Sequence, residues 1–133
     1  MFDVEIITPE RVVYRGKASS LIAPGADGLF GILDHHAPLL NALQVGILTL
    51  RGEGGAPQFY ALGGGFLEVS ANQVVVLADS AEDKSKISVE RAKLACERAE
   101  KRLREKGSPQ IDAVRAEAAL SRALNRLRLA SLT

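Results

Sequence analysis

The C-terminal third of the chain contains a repeat whose two copies match in residue type and in spacing. Within each copy three arginines occupy positions i, i+7 and i+11, which fall within about 40° of one another on a helix of 3.6 residues per turn. The matching positions are Ile87, Arg91, Ala92, Ala95, Arg98, Ala99, Arg102 and Leu103, and then Ile111, Arg115, Ala116, Ala119, Arg122, Ala123, Arg126 and Leu127, 24 residues further on (87 to 111). Each copy is therefore predicted to be a helix with a stripe of arginines along one side.

The residues around each copy indicate where the helices begin and end. Gly107 is typical of a helix C-terminus, and Ser108 followed by Pro109 suits an N-cap and a first helical position. At the start of the first helix, Ser88 is expected to cap through its hydroxyl, with Glu90 in the first turn. The two helices are therefore predicted to form an antiparallel hairpin.

The apolar side of each predicted helix is narrow and rich in alanine. It consists of Ala92, Ala95, Cys96, Ala99 and Leu103 in the first helix, and of Ala116, Ala119, Leu120, Ala123, Leu127 and Ala130 in the second. Alanine buries little area, and apolar burial contributes roughly 25 cal/mol per Å². The hairpin is therefore expected to be held weakly, as an arm able to dock, detach and extend.

The first ~80 residues instead alternate apolar and polar positions over short runs separated by turns, which is typical of strands. Nine to ten short strands of this kind predict an N-terminal β-sandwich, so the fold class is α+β: a sandwich over 1–84 followed by the hairpin over 85–133. The predicted core consists of Val4, Ile6, Leu21, Leu48, Leu50, Leu67, Val69, Val74 and Val76.

The composition excludes several classes of protein. The 17 basic and 16 acidic residues leave a net charge of +1, which gives no reason to expect a nucleic-acid partner. The single cysteine, Cys96, cannot form a disulfide within the chain. The first residues do not resemble a secretion signal, and no apolar run approaches the ~20 residues that span a bilayer.

Three motifs follow one another in the sandwich region: residues 31–40 (GILDHHAPLL), 63–69 (GGGFLEV) and 76–82 (VLADSAE). In their order and spacing, and in the hairpin that follows them, they resemble the epsilon subunit of bacterial and chloroplast F-type ATP synthases. None of the three is a catalytic fingerprint by itself. The joint arrangement is what makes the resemblance specific.

The resemblance implies a non-catalytic rotor subunit of a proton-transporting ATP synthase. The sandwich is expected to join the gamma subunit to the ring of membrane c subunits, and to couple ring rotation to ATP synthesis. The helices are expected to permit ATP hydrolysis when docked and to block it when extended toward the catalytic beta and alpha subunits. The implied location is peripheral, on the cytoplasmic face of a bacterial plasma membrane or the stromal face of a thylakoid, with membrane contact only through other subunits.

The resemblance also implies contact residues for the ring. The family's ring-contacting loops correspond to Ala26, Asp27, Gly28 and Leu29, and to the turn around His36. Some relatives have a glutamate where this chain has Leu29. A charge-based contact is therefore not expected at that position, and Asp27 is the remaining candidate acid.

Some members of the family bind ATP between the helices and the sandwich, and the resemblance implies a candidate site of this kind. Its residues are Glu82, Ile87, Arg91, Ala92, Arg98, Arg122 and Arg126. Ser88 replaces the aspartate of the family motif and offers no carboxylate to an amino group of the base, so binding is expected to be weak. A literal copy of the motif at 111–116 lies on the second helix and is interpreted as a product of the repeat. ATP would act as a regulatory ligand, and no cofactor is required.

Simpler interpretations remain open for these features. An arginine stripe can be only a solvated helix face, although the planar guanidinium also suits bidentate contacts with phosphate or carboxylate. His35 and His36 have no partner at metal-ligand spacing, so loop hydrogen bonds explain them better than a metal does. Residues 63–65 lack the Lys-Ser/Thr of a phosphate loop, and no nucleophile is paired with a base. The alternative from another class is a free-standing module whose hairpin closes on ATP.

Overall fold

A computed structural model of the chain describes residues 1–52, 54–105 and 113–131. These residues divide into two compact units, one from Met1 to Lys84 and the other from Ser85 onward. All the described strands belong to the first unit, and both α-helices belong to the second. The change from alternating to helical periodicity in the sequence thus coincides with the change from one unit to the next.

The first unit contains eight described strands that hydrogen-bond into one sheet. They are β1 (Phe2–Ile7), β2 (Val12–Ala18), β3 (Ser20–Gly25), β4 (Gly28–Leu33), β5 (Leu39–Arg51), β6 (Gln58–Ser70), β7 (Gln73–Ala78) and β8 (Ala81–Asp83). The order across the sheet is β2-β1-β7-β6-β5-β3-β4, and β8 pairs with β6. β1 and β7 are parallel, whereas the other described pairs are antiparallel.

The long strands β5 and β6 carry the sheet from one layer to the other. Each has 13 residues, and they pair from Leu39 opposite Val69 to Leu50 opposite Gln58. β6 pairs with β7 through residues 65–70 but with β8 through residues 60–62. One half of β6 therefore belongs to the layer of β2, β1 and β7, and the other half to the layer of β8, β3 and β4.

One hydrophobic core lies between the two layers. It includes all nine residues that the sequence predicts for it, each of them buried: Val4, Ile6, Leu21, Leu48, Leu50, Leu67, Val69, Val74 and Val76. Since β1 and β3 stand four positions apart in the sheet order, they can share a core only if the sheet folds face to face. The predicted β-sandwich is therefore confirmed.

The strands are fewer and longer than predicted, because glycines bend a strand without ending it. The sequence predicts separate strands at 59–62 and 66–69, whereas β6 runs through both. Between them, Gly64 and Gly65 have φ angles of +98° and +141°, which residues other than glycine rarely adopt. A Cβ on Gly65 would collide with the carbonyl oxygen of Leu77. Eight described strands thus replace the nine to ten expected, and the fold class is unchanged.

The second unit contains two helices, α1 (Val89–Arg104) and α2 (Ala113–Ser131), and a short 3₁₀ helix (Lys84–Lys86) precedes α1. α1 begins as predicted, because Oγ of Ser88 accepts a hydrogen bond from the backbone N–H of Arg91 at 3.2 Å. The predicted helix end at Gly107 and helix start at Ser108 and Pro109 lie outside the described residues.

The two helices pack in opposite directions. The C-terminal half of α1 and the N-terminal half of α2 line the same small cavity, and Ala92 and Ala123, each seven residues further from the connection, are buried as well, as expected for an antiparallel pair. The predicted alanine seam is present, with Ala92, Ala99, Ala116 and Ala123 all buried. Asn125 and Leu129 are also buried, although the predicted seam does not include them.

Candidate functional site

The first group of predicted contact residues lies at a tight turn. β3 and β4 pair from Ser20 opposite Leu33 to Gly25 opposite Gly28, which leaves Ala26 and Asp27 as a two-residue turn. The backbone N–H of Ala26 donates to the carbonyl oxygen of Ala42 at 2.9 Å, which ties this turn to β5. All four predicted residues, 26–29, are exposed. The turn is thus accessible to a partner.

The large apolar residue of this group is highly exposed. The side chain of Leu29 is 74% exposed, and that of Leu33, on the same side of β4, is 66% exposed. β4 is the last strand in the order of the described sheet, so Leu29 and Leu33 lie on a strand whose outer edge pairs with no other described strand. The exposed leucines at this edge favour an apolar contact with a partner, and the carboxylate of Asp27 in the adjoining turn is available for a polar one.

His36 lies in the loop that connects β4 to β5, at the opposite end of β4 from the turn. Its imidazole is half-buried, and Nδ1 is 2.6 Å from the carbonyl oxygen of Ala37. The tautomer protonated at Nδ1 donates to this oxygen and leaves Nε2 as an acceptor. Because β4 has six residues, the turn and the His36 loop are separated by about 17 Å. A partner that touches both must follow the length of β4.

The candidate nucleotide residues are divided between the two units. Glu82 is on β8, half-buried, and the other six belong to the helical unit. Arg91 and Arg98 are exposed on α1, and Arg122 and Arg126 are half-buried on α2. The remaining two are Ile87, which is half-buried, and Ala92, which is 2% exposed and offers almost no surface to a ligand.

The small cavity between the helices includes only one of these candidate residues. Its volume is about 140 Å³, and it is lined by Ala95, Arg98, Ala99, Arg102, Ala116 and Ala119. Pockets for small ligands are typically about 300–1,000 Å³. The cavity is thus too small for a whole nucleotide, and its two arginines fit at most a single anionic group.

A further surface was not predicted from the sequence. Ile7, Leu77, Phe66 and Ala42 are cross-strand neighbours on β1, β7, β6 and β5, and Leu40 is two residues from Ala42 on β5. Leu40 is 69% exposed, and Phe66 and Leu77 are 54% exposed each. We call these five residues the apolar row. A signal for it exists in the sequence, because Phe66-Leu67 and Val76-Leu77 place apolar residues on both faces of a strand.

Metal binding has no support in the part of the chain that the structure describes. There, no three His, Cys, Asp or Glu side chains are grouped to hold an ion. Instead, Nε2 of His35 lies 3.6 Å from the carboxylate of Asp34.

No helix among the described residues is long and apolar enough to cross a membrane.

Comparison with known proteins decides the family. Residues 1–84 match the family model of the ATP synthase delta/epsilon chain β-sandwich domain, and residues 85–131 match that of its long α-helix domain. The chain belongs to the ATP synthase delta/epsilon family. The predicted resemblance is therefore confirmed, and with it the prediction of a non-catalytic subunit rather than an independent enzyme.

Curated relatives in this family are similar over almost the full chain. The ATP synthase epsilon chain of Moorella thermoacetica is 52% identical over 128 residues, which cover 96% of this chain and 95% of the relative. The epsilon chain of Desulforamulus reducens is 51% identical over 127 residues, with 96% and 95% coverage. The similarity therefore spans the sandwich and both helices.

Solved structures support the fold. A chain in the mitochondrial ATP synthase OSCP/F1/c-ring structure of Euglena gracilis matches with a TM-score of 0.76 at 22% identity, covering 89% of this chain and 74% of that one. A chain in the central stalk/c-ring structure of the Tetrahymena thermophila mitochondrial ATP synthase matches with a TM-score of 0.60 at 18% identity, covering 97% and 92%. At these identities the match is one of fold.

Proposed function

We propose that the chain is a central-stalk subunit of a proton-transporting ATP synthase, which couples rotation of the c-ring to ATP synthesis. The observation that carries this proposal is the match of both units, in order, to the delta/epsilon family. The subunit is peripheral, on the cytoplasmic face of a bacterial plasma membrane or the stromal face of a thylakoid. The alternative, a free-standing ATP sensor, leaves the apolar row without a role.

We assign the apolar row to the gamma subunit. Three large apolar side chains of this row, Leu40, Phe66 and Leu77, are exposed next to one another. Adjacent exposed apolar side chains of this kind mark interaction sites on soluble proteins. Phe66 stands near the middle of the row and presents the largest side chain, so it is the expected anchor.

The c-ring is assigned to the other layer of the sandwich, along β4. Asp27 and Leu29 at its turn, and His36 beyond its far end, form a strip that follows the whole of β4, a strand about 17 Å long. The strip offers one acid, one apolar side chain and one imidazole acceptor. A polar loop with a hydrogen-bond donor, next to an apolar residue, complements it.

We propose that the helical arm restrains ATP hydrolysis. The arm buries mostly alanines along its seam, so little apolar area opposes its rearrangement. Its exposed arginines Arg91, Arg98 and Arg102 can contact acidic segments of the beta and alpha subunits once the arm extends. Arginines that can contact either phosphate groups or these acidic segments, but not both at once, act as a switch.

Removal of the arm tests this regulation. Full-length chain, added to a catalytic complex that lacks it, is expected to slow ATP hydrolysis about fivefold or more, a common size for an allosteric effect. A chain of residues 1–84, which retains the whole sandwich core, is expected to have no such effect. Its affinity for gamma, measured in parallel, serves as the control and should equal that of the full chain. Equal slowing of hydrolysis by both chains would rule out regulation by the arm.

We propose further that the arm binds ATP weakly. The guanidinium groups of Arg98, Arg122 and Arg126 suit phosphate oxygens, whereas Ser88 supplies no carboxylate for the base. Calorimetry is expected to show binding to the wild-type chain and about tenfold tighter binding to Ser88→Asp, because aspartate caps a helix equally well and adds a charged acceptor.

Matched arginine variants separate this site from general charge effects. Arg122→Ala and Arg126→Ala are expected to weaken ATP binding, whereas Arg104→Ala, an exposed arginine in the last turn of α1, should leave it unchanged. The absence of any heat with the wild-type chain at millimolar ATP would remove the nucleotide site from the account, and leave the rotor function standing.

A further inference from the structure

One side chain ties together three segments at one end of the sandwich unit. Asn72, in the turn between β6 and β7, donates from Nδ2 to Oδ1 of Asp34 at 2.9 Å and to the carbonyl oxygen of Met1 at 3.2 Å. Its Oδ1 accepts from the backbone N–H of His35 at 2.7 Å. We call Asn72, Asp34 and His35 the Asn72 clasp. It joins the β6–β7 turn to the β4–β5 loop and to the start of β1.

The turn geometry selects asparagine for this position. Ala71 and Asn72 have φ angles of +49° and +60°, the two left-handed residues of a tight hairpin turn. Asparagine tolerates this conformation better than most residues and carries both a donor and an acceptor. Glycine would fit the backbone conformation but has no side-chain amide, and aspartate would fit but its carboxylate has no hydrogen-bond donor.

The loop that the clasp holds has an unfavourable backbone conformation of its own. His35 has a φ angle of +58°, in the left-handed region that residues other than glycine seldom adopt. The backbone N–H of His35 donates to Oδ1 of Asn72, and Nδ2 of the same side chain donates to the carboxylate of Asp34, the residue before His35. The hydrogen bond from Asn72 is the main cause that lowers the pKa of Asp34, which is consistent with a bond made to the charged carboxylate.

His36 follows directly after the clasped residues. We propose that Asn72 is a positioning residue, which orders the loop of residues 34–38 and so presents the His36 imidazole to the ring-facing partner. This rests on the proposed function, in which His36 contacts the c-ring. A loop that is ordered before contact does not lose its conformational entropy on binding, so the clasp strengthens the contact without touching the partner.

Exchange of the two clasp side chains tests the proposal. Asn72→Asp keeps the turn conformation and removes the donor, so that two carboxylates face each other. In this variant the ¹⁵N order parameters of residues 34–37 are expected to fall from about 0.85 to below about 0.6. The double variant Asp34→Asn/Asn72→Asp restores the donor–acceptor pair between positions 34 and 72, but not the bond to the carbonyl oxygen of Met1, so it is expected to recover most of the order rather than all of it. Gln73→Ala, an exposed neighbour whose side chain is outside the clasp, serves as the control.

The functional half of the test uses the full chain and a purified complex of gamma with the c-ring. Asn72→Asp is expected to lower the affinity about tenfold, with recovery in the double variant and no change for Gln73→Ala. Unchanged order parameters in Asn72→Asp would overturn the proposal, as would lost order without lost affinity. Failure of the wild-type chain to bind the complex is a different result, because it contradicts the proposed function itself, whatever the order of the loop.

Discussion

Phe66→Glu is expected to reduce the affinity of the chain for the gamma subunit by about 100-fold or more. Loss of an aromatic anchor typically costs at least about 2 kcal/mol of binding free energy, and the buried glutamate would add the cost of an unpaired charge. At 1.4 kcal/mol per factor of ten, these two costs together exceed two orders of magnitude. The measurement is titration calorimetry of the purified chain with gamma.

The fold of this variant is expected to be preserved. Phe66 is 54% exposed and lies outside the buried core, so its thermal unfolding midpoint should stay close to that of the wild type. Ile22→Glu is the matched control, since Ile22 is 45% exposed but belongs to β3, in the other layer. Loss of gamma binding by both variants to the same degree would show that the apolar row is not the interface.

Gly65→Ala is expected to destabilise the sandwich by at least about 3 kcal/mol in free energy of unfolding. The new methyl group would collide with the carbonyl oxygen of Leu77 and lie 2.8 Å from Cα of Ala78, both of them backbone atoms that cannot move independently. The φ angle of +141° adds conformational strain of about 1–3 kcal/mol. Urea unfolding, followed by circular dichroism of the strands, measures the change.

A second glycine separates the steric part from the dihedral part. Gly28 has a φ angle of +130°, but nothing lies within 4 Å of an added Cβ. Gly28→Ala is therefore expected to cost only the strain of about 1–3 kcal/mol. If both substitutions cost the same, the close approach of β6 and β7 at Gly65 does not constrain the fold as described.

The alternation of side chains predicted the core, because it reflects the geometry of a strand directly. Val4 and Ile6 on β1, and Val74 and Val76 on β7, follow the period of two and are all buried. The same local pattern could not show that β6 continues through residues 63–65. Whether glycines end or bend a strand depends on the backbone that passes beside them, here Leu77 of β7.

The surfaces were harder to predict than the core. Leu40 is exposed and Leu48 is buried although they are eight residues apart on one strand, because the buried positions of β5 change phase between Leu43 and Gly46. In the Asn72 clasp, Asn72 bonds to His35 and Asp34, which precede it by 37 and 38 positions in the sequence. No local sequence pattern operates over such a separation. The family resemblance supplied the candidate ring residues, whereas the apolar row and the clasp required the fold.

Most features of the helical arm, unlike those of the sandwich surfaces, could be predicted from the sequence. Its repeat predicted two helices, and the antiparallel packing of α1 and α2 and the Ser88 cap followed from local rules. Asn125 and Leu129 are buried outside the predicted seam. Neither position is among those that match between the two copies of the repeat, so the repeat could not predict their burial.

Assembly with partner subunits tests most directly whether this chain is a rotor subunit. The full-length chain, mixed with purified gamma subunit and c-ring and analysed by native mass spectrometry, is expected to form a complex with one copy of the chain per gamma. The chain alone should hydrolyse no ATP. A chain that remains monomeric in this mixture while it binds ATP would contradict a rotor function and favour a free-standing nucleotide sensor.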